Sequence, residues 1–273
     1  LFMGGLAGIG GYGTALLTNW TGVTPWLTLF VASVVAALVG LLVSWISARR
    51  NFTVVLISIL TLNLQLVFVE FYGGARNITG GSTGFPYAYL TFESTAETLG
   101  VSEEVVLYYL ALVVLVALLY LYVWLVNSRF GVAFHAIRED ELAAASIGVD
   151  VVRYKVIAGT LAAFVFGFVG AFYAQEAGYI LPSAFSFLTV DVLILIVLIV
   201  GGLRTTLGPV VGAVIVVAIE EGLAAYLTEW RSPMFGALLI FLFLYFRSGV
   251  VPFAGDLPRT LRTSAERARA WLE

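Results

Sequence analysis

Long apolar segments, each nearly free of charge, dominate this sequence and limit what it can fold into. The segments cover residues 1–17, 25–47, 52–72, 104–127, 153–176, 187–201, 209–228 and 233–250. A helix needs roughly 20 apolar residues to cross about 30 Å of hydrocarbon, and most of these segments reach that length. A soluble fold could not hide so much apolar surface, whereas a bilayer accommodates it. We therefore predict an all-α, polytopic transmembrane helical bundle in a plasma membrane.

The composition excludes several classes of function. Hydrophobic residues make up 61% of the 273 residues and charged residues only 11%, against about 25% charged in ordinary soluble domains. The chain has no cysteine and one histidine, His135, so it has no cysteine metal site and no multi-histidine site. The net charge of −3 argues against nucleic acid as a partner. We predict neither a cofactor nor a metal.

Basic residues predict the orientation of the chain in the membrane. If residues 128–152 are cytoplasmic and the apolar segments alternate, only Arg76 and Arg231 of the 14 basic residues fall outside. The cytoplasmic set is then Arg49, Arg50, Arg129, Arg138, Arg153, Lys155, Arg204, Arg247, Arg259, Arg262, Arg267 and Arg269. This excess follows the positive-inside rule. We therefore predict a transmembrane domain over residues 1–253, an external polar loop at 73–103 and a cytoplasmic tail at 254–273.

Residues 128–152 form the most informative polar segment. Phe130, Ala133, Phe134 and Ile137 fall at helical spacing, and a charged turn follows at Arg138, Glu139, Asp140 and Glu141. Small residues come next at Ala143, Ala144 and Ala145, and Gly148 can end the helix. The pattern predicts one short cytoplasmic helix with an apolar face and a charged end. Such a helix could dock into a cleft of a soluble partner or lie at the membrane surface.

The same segment resembles the signature of the LivM-type permeases of branched-chain amino-acid ABC transporters. That signature reads G-x-A-x-x-A-I-R-E-D-E-x-A-A-x-x-x-G-x-x-x-x-x-Y-K. The match comprises Gly131, Ala133, Ala136, Ile137, Arg138, Glu139, Asp140, Glu141, Ala143, Ala144, Gly148, Tyr154 and Lys155. Thr79–Gly84 is similar to the family's T-G-G-x-x-G loop, and Gly201–Ala213 to its glycine-rich turn, while Val132 and Arg204 depart from the usual Arg and Gly. The resemblance places residues 1–17 at the family's second span.

The resemblance implies that residues 128–152 are a coupling helix, which carries the motion of an ATPase subunit to the pore. No G-x-x-x-x-G-K-[ST] sequence occurs in the chain, so another subunit must supply the ATP site. Contact with that subunit is expected at Arg138, Glu139, Asp140, Glu141, Ala143, Ala144 and Gly148. The resemblance also implies a second, related permease and an external binding protein as partners.

Polar residues inside the apolar segments are candidates for the translocation pathway. Asn63 and Gln65 are expected to face other helices rather than lipid, and Glu220 lies deep in its segment. Asp191 is a further candidate, although its place near the end of a segment favours simple solvation. Glu220 could equally form a hydrogen bond between helices. Glu221 points about 100° away from it, so the two are a poor acid/base pair.

A glycine-rich stretch at Gly8–Gly13 matches G-x-G-x-x-G, the phosphate-binding pattern of dinucleotide folds. That pattern needs a preceding strand and a following acidic residue, and neither is present. Glycines on an apolar helix more simply allow two membrane helices to approach closely.

Three classes of function compete at this point. The main expectation is a non-enzymatic permease subunit of an ATP-driven importer for branched-chain amino acids, with urea or another small solute as the alternative cargo. A proton-coupled secondary transporter using Glu220 or Asp191 would leave the charged turn without a purpose. A membrane-embedded enzyme is disfavoured because the sequence shows no nucleophile–base arrangement.

The orientation is testable because the chain lacks cysteine. We expect a cysteine at Ser94 to react with an impermeant thiol reagent in intact cells, and one at Ser264 to react only after permeabilisation, because the basic residues hold residue 264 inside. Mass-tag labelling measures both. Labelling at 264 but not at 94 would reverse the topology.

Overall fold

The computed structural model describes residues 2–226, except 51, 88, 93–95, 99, 203–204 and 206, together with residues 236, 237 and 240. The predicted tail at 254–273 and most of the predicted span at 233–250 lie outside the described residues. The chain divides into two units, Leu1–Asp191 and Val192–Glu273.

Helices account for almost all of the first unit. They are α1 (Met3–Thr21), α2 (Pro25–Arg49), α3 (Val54–Gly74), α4 (Arg76–Thr79), α5 (Glu103–Val126), α6 (Arg129–Glu139), α7 (Glu141–Ser146) and α8 (Val151–Ala177). Two-residue strands β1 (Phe85–Pro86) and β2 (Tyr179–Ile180) pair antiparallel. The first unit also contains short 3₁₀ turns at Gly81–Thr83 and Pro182–Phe185 and a π-helical turn at Phe187–Asp191. The second unit contains α9 (Val192–Gly201) and α10 (Gly208–Tyr226), which pack against each other.

Four of the described helices are long and apolar enough to cross a membrane. These are α2, α3, α5 and α8. The predicted segments at 1–17, 187–201 and 209–228 are also helical, as α1, the Phe187–Gly201 stretch and α10. The prediction of an all-α, multi-pass membrane protein is confirmed.

Helix ends follow local capping chemistry. Pro25 occupies the first turn of α2, where its missing N–H costs nothing. The Asp150 carboxylate accepts a hydrogen bond of 3.0 Å from the Arg153 amide and caps α8. Gly178 ends α8 in the left-handed region at φ 64°, a conformation that favours glycine. These signals keep α8 continuous for 27 residues.

The core of the first unit is a contact between the backbones of α1 and α8. A Cβ atom on Gly10 would stand 1.8 Å from the Gly167 carbonyl oxygen, and one on Gly170 would stand 2.0 Å from the Ala7 carbonyl oxygen. No side chain fits between these helices. The interpretation of Gly8–Gly13 as a helix-packing surface is confirmed, and the dinucleotide pattern has no structural counterpart there.

Helix α2 packs on α8 through small residues as well. Ala36 and Ala163 are fully buried, and a Cβ atom on Gly40 would stand 2.1 Å from the Ala163 Cβ. In lipid, helices associate by close packing rather than by the hydrophobic effect, so small residues at the contact favour tight association. α1, α2 and α8 therefore form the tight centre of the unit.

The polar segment after α3 folds back onto the end of α8. Phe85 pairs with Ile180 across β1 and β2, and the Tyr87 hydroxyl donates to the Ala174 carbonyl. Burial raises the pKa of the Tyr87 phenol, which keeps it protonated and able to donate. Gly84 adopts φ 68°, and a Cβ there would collide with the Ile180 carbonyl. The predicted polar loop is thus partly packed rather than wholly solvated.

The α1–α8 contact predicts that glycine substitutions differ sharply in their effect on stability, according to whether the glycine lies in the contact. We expect Gly10→Val and Gly170→Val to lower the free energy of unfolding by about 3 kcal/mol or more, because the added side chain meets a backbone that cannot repack. Thermal unfolding and monodispersity in detergent measure the effect. Gly74→Val is the control, because no heavy atom lies within 4 Å of its Cβ position. Equal stability of all three variants would contradict the close approach.

Candidate functional site

The polar segment at 128–152, for which a coupling role is predicted, contains two helices before α8 begins, rather than one. α6 ends at Glu139 and α7 begins at Glu141, with Asp140 extended between them at φ −158° and ψ 116°. The Asp140 carboxylate accepts hydrogen bonds from the Leu142 and Ala143 amides at 2.8 and 3.0 Å. An aspartate that caps a new helix competes with continuation of the old one. The prediction of a single helix is therefore wrong at Asp140.

The apolar stripe of α6 faces the chain itself. The Phe130 and Phe134 rings lie edge-on to the Tyr154 ring of α8, with centroids 6.1 and 6.0 Å apart, and Ala133 is buried. Phe134 is half-buried, and Tyr154 of α8 occupies part of the surface that it would offer to a partner. Ile137 is half-buried.

The charged turn is exposed and tied to α8 at one point. Arg138, Glu139 and Asp140 are exposed. The Lys155 ammonium lies 2.6 Å from a Glu141 carboxylate oxygen, and both side chains retain solvent contact. A pair this exposed adds at most about 1 kcal/mol to stability. Its consequence is geometric, because it fixes the start of α7 against α8.

Two exposed apolar side chains project from α7 and the turn that follows it. Leu142 is 82% exposed and Ile147 is 78% exposed, whereas Ala144 is only 2% exposed. Ala143 and Gly148 are exposed, and Gly148 adopts φ 88°. The predicted contact role of Ala144 does not hold as a direct contact, because its methyl group is buried in the chain. The sequence analysis did not identify Ile147 or Leu142 as contact residues, although both are apolar residues that flank the alanine run.

A buried hydrogen-bond network joins α1, α3 and the segment after β2. The Asp191 carboxylate accepts hydrogen bonds from the Met3 and Gly4 amides at 2.9 and 3.0 Å. The Gln65 side chain accepts from the Gly5 amide and donates to the Phe185 carbonyl at 2.7 Å. Asp191 and Gln65 are both 0% exposed. The expectation that Asp191 is solvated is therefore wrong, whereas Gln65 does face other helices.

Asn63 lies on the opposite side of α3 from Gln65. Side chains two positions apart on a helix point about 200° away from each other, so only one of these two can face the core. Asn63 is exposed, and its amide nitrogen donates to the Ile59 carbonyl of its own helix at 2.8 Å. Asn63 thus packs on none of the other described helices of this chain, and its expected contact with helices elsewhere stays a prediction.

Further carboxylates on the described helices include Glu220, Glu221 and Glu70. Glu220 on α10 is half-buried and Glu221 is exposed. Glu70 on α3 is exposed and was missed by sequence reasoning. Its signal was its position seven residues after Asn63, which places both on one face of the helix.

The described residues contain no cluster of three or more metal-ligating side chains. His135 is exposed on α6. The site therefore has two parts: polar groups in or beside the spans, which suit contact with a solute, and the exposed Leu142 and Ile147 outside the spans, which suit contact with another protein.

Comparison with known proteins gives a consistent result. Residues 2–243 match the family described as branched-chain amino acid transport system / permease component. The chain is 28% identical to the high-affinity branched-chain amino acid transport system permease protein LivM of Escherichia coli over 271 residues, which cover 91% of this chain and 62% of that protein. It is 29% identical to the probable branched-chain amino acid transport permease protein LivH of Methanocaldococcus jannaschii over 232 residues, which cover 82% of this chain and 70% of that protein.

The LivM protein of Salmonella typhimurium matches at 28% identity with the same coverage as the Escherichia coli protein. This chain thus spans about 62% of the length of these two relatives. No solved structure matches it significantly. Because the family match covers most of the sequence, the chain belongs to the family of permease components of branched-chain amino acid transport systems.

Proposed function

We propose that this chain is the permease subunit of an ATP-binding-cassette importer that moves branched-chain amino acids inward across the plasma membrane. The family match and the names of three relatives, all permeases of branched-chain amino acid transport, support this proposal. The observation that carries it is the exposed tip of the coupling segment, formed by Leu142 and Ile147 beside the charged turn.

Energy reaches the permease by contact in this proposal. The sequence has no P-loop, so an ATPase subunit must bind and hydrolyse ATP. An exposed apolar patch rimmed by polar residues is typical of a protein–protein interaction site. Leu142 and Ile147 enter a cleft of the ATPase, while Arg138 and Glu139 pair with its rim.

In this proposal the coupling segment is attached to the core of the permease through α8. Phe130 and Phe134 pack on Tyr154, and Glu141 pairs with Lys155, so α6 and α7 are both attached to α8. Helix α8 in turn contacts the backbone of α1. A displacement of the tip therefore reaches the membrane core through α8 as one rigid element.

The remaining partners and the pathway follow from the same proposal. A second, related permease completes the pore, and an external binding protein delivers the cargo. Among the candidate pathway residues of the first unit, Asn63 contacts the solute; Glu220, in the second unit, stays a separate candidate. Gln65 and Asp191 position α1 and α3, because their side chains are occupied by backbone groups.

Substitution at the tip tests the coupling. We expect Leu142→Arg and Glu141→Arg to reduce ATP-driven uptake of leucine at least tenfold and to weaken copurification of the ATPase, because the first removes an anchor and the second breaks the Lys155 pair. Membrane insertion should be unchanged. Uptake into proteoliposomes containing ATP, with and without a protonophore, measures the effect and separates an ATP-driven importer from a proton-coupled carrier. Parallel uptake of urea tests the alternative cargo.

Val132→Arg is the matched control. Val132 is also an exposed apolar residue, at 70%, but it lies on α6 away from the tip. We expect it to transport normally. If Leu142→Arg and Glu141→Arg both bind the ATPase and transport as well as Val132→Arg, the coupling role is wrong. Ala144→Trp is less informative, because it would disturb packing inside the chain.

A further inference from the structure

Two opposite faces of α3 carry polar residues in membrane-spanning turns. Ser58, Gln65 and Tyr72 recur every seven residues, and Gln65 and Tyr72 are buried against the rest of the unit. Leu56, Asn63 and Glu70 recur with the same spacing about 160° away. All three of the second set are exposed. We call this second face the α3 stripe; Ile59, Leu66 and Val67 flank it and are also exposed.

The α3 stripe is chemically unsuited to lipid. Asn63 lies near the middle of the 21-residue helix, where hydrocarbon offers no hydrogen-bond partner. Its amide nitrogen bonds only within α3, and no described residue bonds to its side-chain oxygen. Glu70 lies about 6 Å from the end of the helix and forms no hydrogen bond or ion pair with the described residues. Charged groups in spans face water or protein rather than lipid.

Helix α5 shows what a lipid-compatible surface looks like in the same chain. From Val105 to Val126 it contains only aliphatic and aromatic residues, and the helix has no buried residue. Its polar side-chain atoms are tyrosine hydroxyls and one indole N–H, which lie toward the two ends of the helix, whereas the middle at residues 110–119 is wholly aliphatic. The contrast with α5 indicates that the polar residues of the α3 stripe face something other than lipid.

We propose that the α3 stripe lines the water-filled translocation pathway, and that the Glu70 carboxylate binds the α-ammonium group of the passing amino acid. This inference rests on the proposed function for the identity of the cargo. A branched-chain amino acid has one cationic group, one anionic group and an apolar side chain. Glu70 complements the cation, and Leu66 and Val67 on either side offer apolar contact to the side chain. Asn63 then offers the next polar contact toward the middle of the membrane.

Cysteine labelling tests whether the stripe meets water. In the assembled transporter we expect Asn63→Cys to react with the cationic reagent 2-(trimethylammonium)ethyl methanethiosulfonate, which requires a hydrated thiolate. Val113→Cys, at similar depth on α5 and 61% exposed, is the control and should not react. Because the wild-type chain has no cysteine, any labelling of the wild-type transporter comes from the partner subunits and serves as the background. An unreactive Asn63→Cys, or equal reaction of both, would overturn the pathway assignment.

Charge substitution tests the role of Glu70. We expect Glu70→Gln to reduce leucine uptake about tenfold at matched expression and stability, and Glu70→Asp to retain most of it, because a charge-assisted hydrogen bond is lost only in the first. We expect Glu70→Cys to take up leucine slowly. Reaction with the anionic 2-sulfonatoethyl methanethiosulfonate should restore uptake, whereas reaction with the cationic reagent should not. A purely structural role for Glu70 would not depend on the sign of the added charge.

The outcomes separate this inference from the proposed function. If the wild-type transporter takes up leucine but uptake is insensitive to charge at residue 70, the ammonium-binding role is wrong and the proposed function stands. If the wild type takes up no leucine, the proposed function fails. The labelling of Asn63→Cys still decides in that case whether the α3 stripe faces water.

Discussion

Backbone contact between α1 and α8 is the constraint on which the first unit depends. The carbonyl groups of Ala7 and Gly167 occupy the space that a Cβ would need on the facing helix, so neither helix can shift without losing the contact. This closeness explains why glycine and alanine rather than large side chains stand where α1 and α2 meet α8. It also leaves no room for a solute between α1, α2 and α8. In the proposed importer, the cargo would pass along the surface of this unit rather than through its centre.

Helix α8 connects the parts of the chain that face different environments. It spans 27 residues, or about 40 Å, which exceeds the hydrocarbon thickness. Tyr154 and Lys155 near its first turn hold the coupling segment, and Ala174 near its last turn accepts the hydrogen bond from Tyr87. α8 is continuous and tightly packed along its middle. In the proposed importer, it is the element that would carry motion from the coupling segment to the opposite end of the membrane.

The sequence was sufficient for the helices but not for the directions in which their side chains point. Apolar length predicted the spans, and glycine spacing predicted close helix packing, since both depend on local composition. The break at Asp140 was not predictable, because an aspartate among charges can equally continue a helix or cap the next one. Asn63 and Gln65 looked alike for a related reason: their separation becomes visible only once the packed face of α3 is known. Asp191 looked solvated because its proximity to α1 is a long-range contact.

Polar groups of this membrane chain divide into two kinds according to their partners. Asp191 and Gln65 are fully occupied by backbone amides and a carbonyl, so replacing those bonds with a solute would leave buried groups unpaired. Asn63 and Glu70 are held on a rigid helix but keep hydrogen-bonding capacity outside the chain. A transported solute must bind weakly enough to leave, which favours groups whose unliganded state is stabilised by water. The occupied groups therefore suit the fixed architecture of the permease, and the unoccupied ones suit a surface that a solute meets and releases.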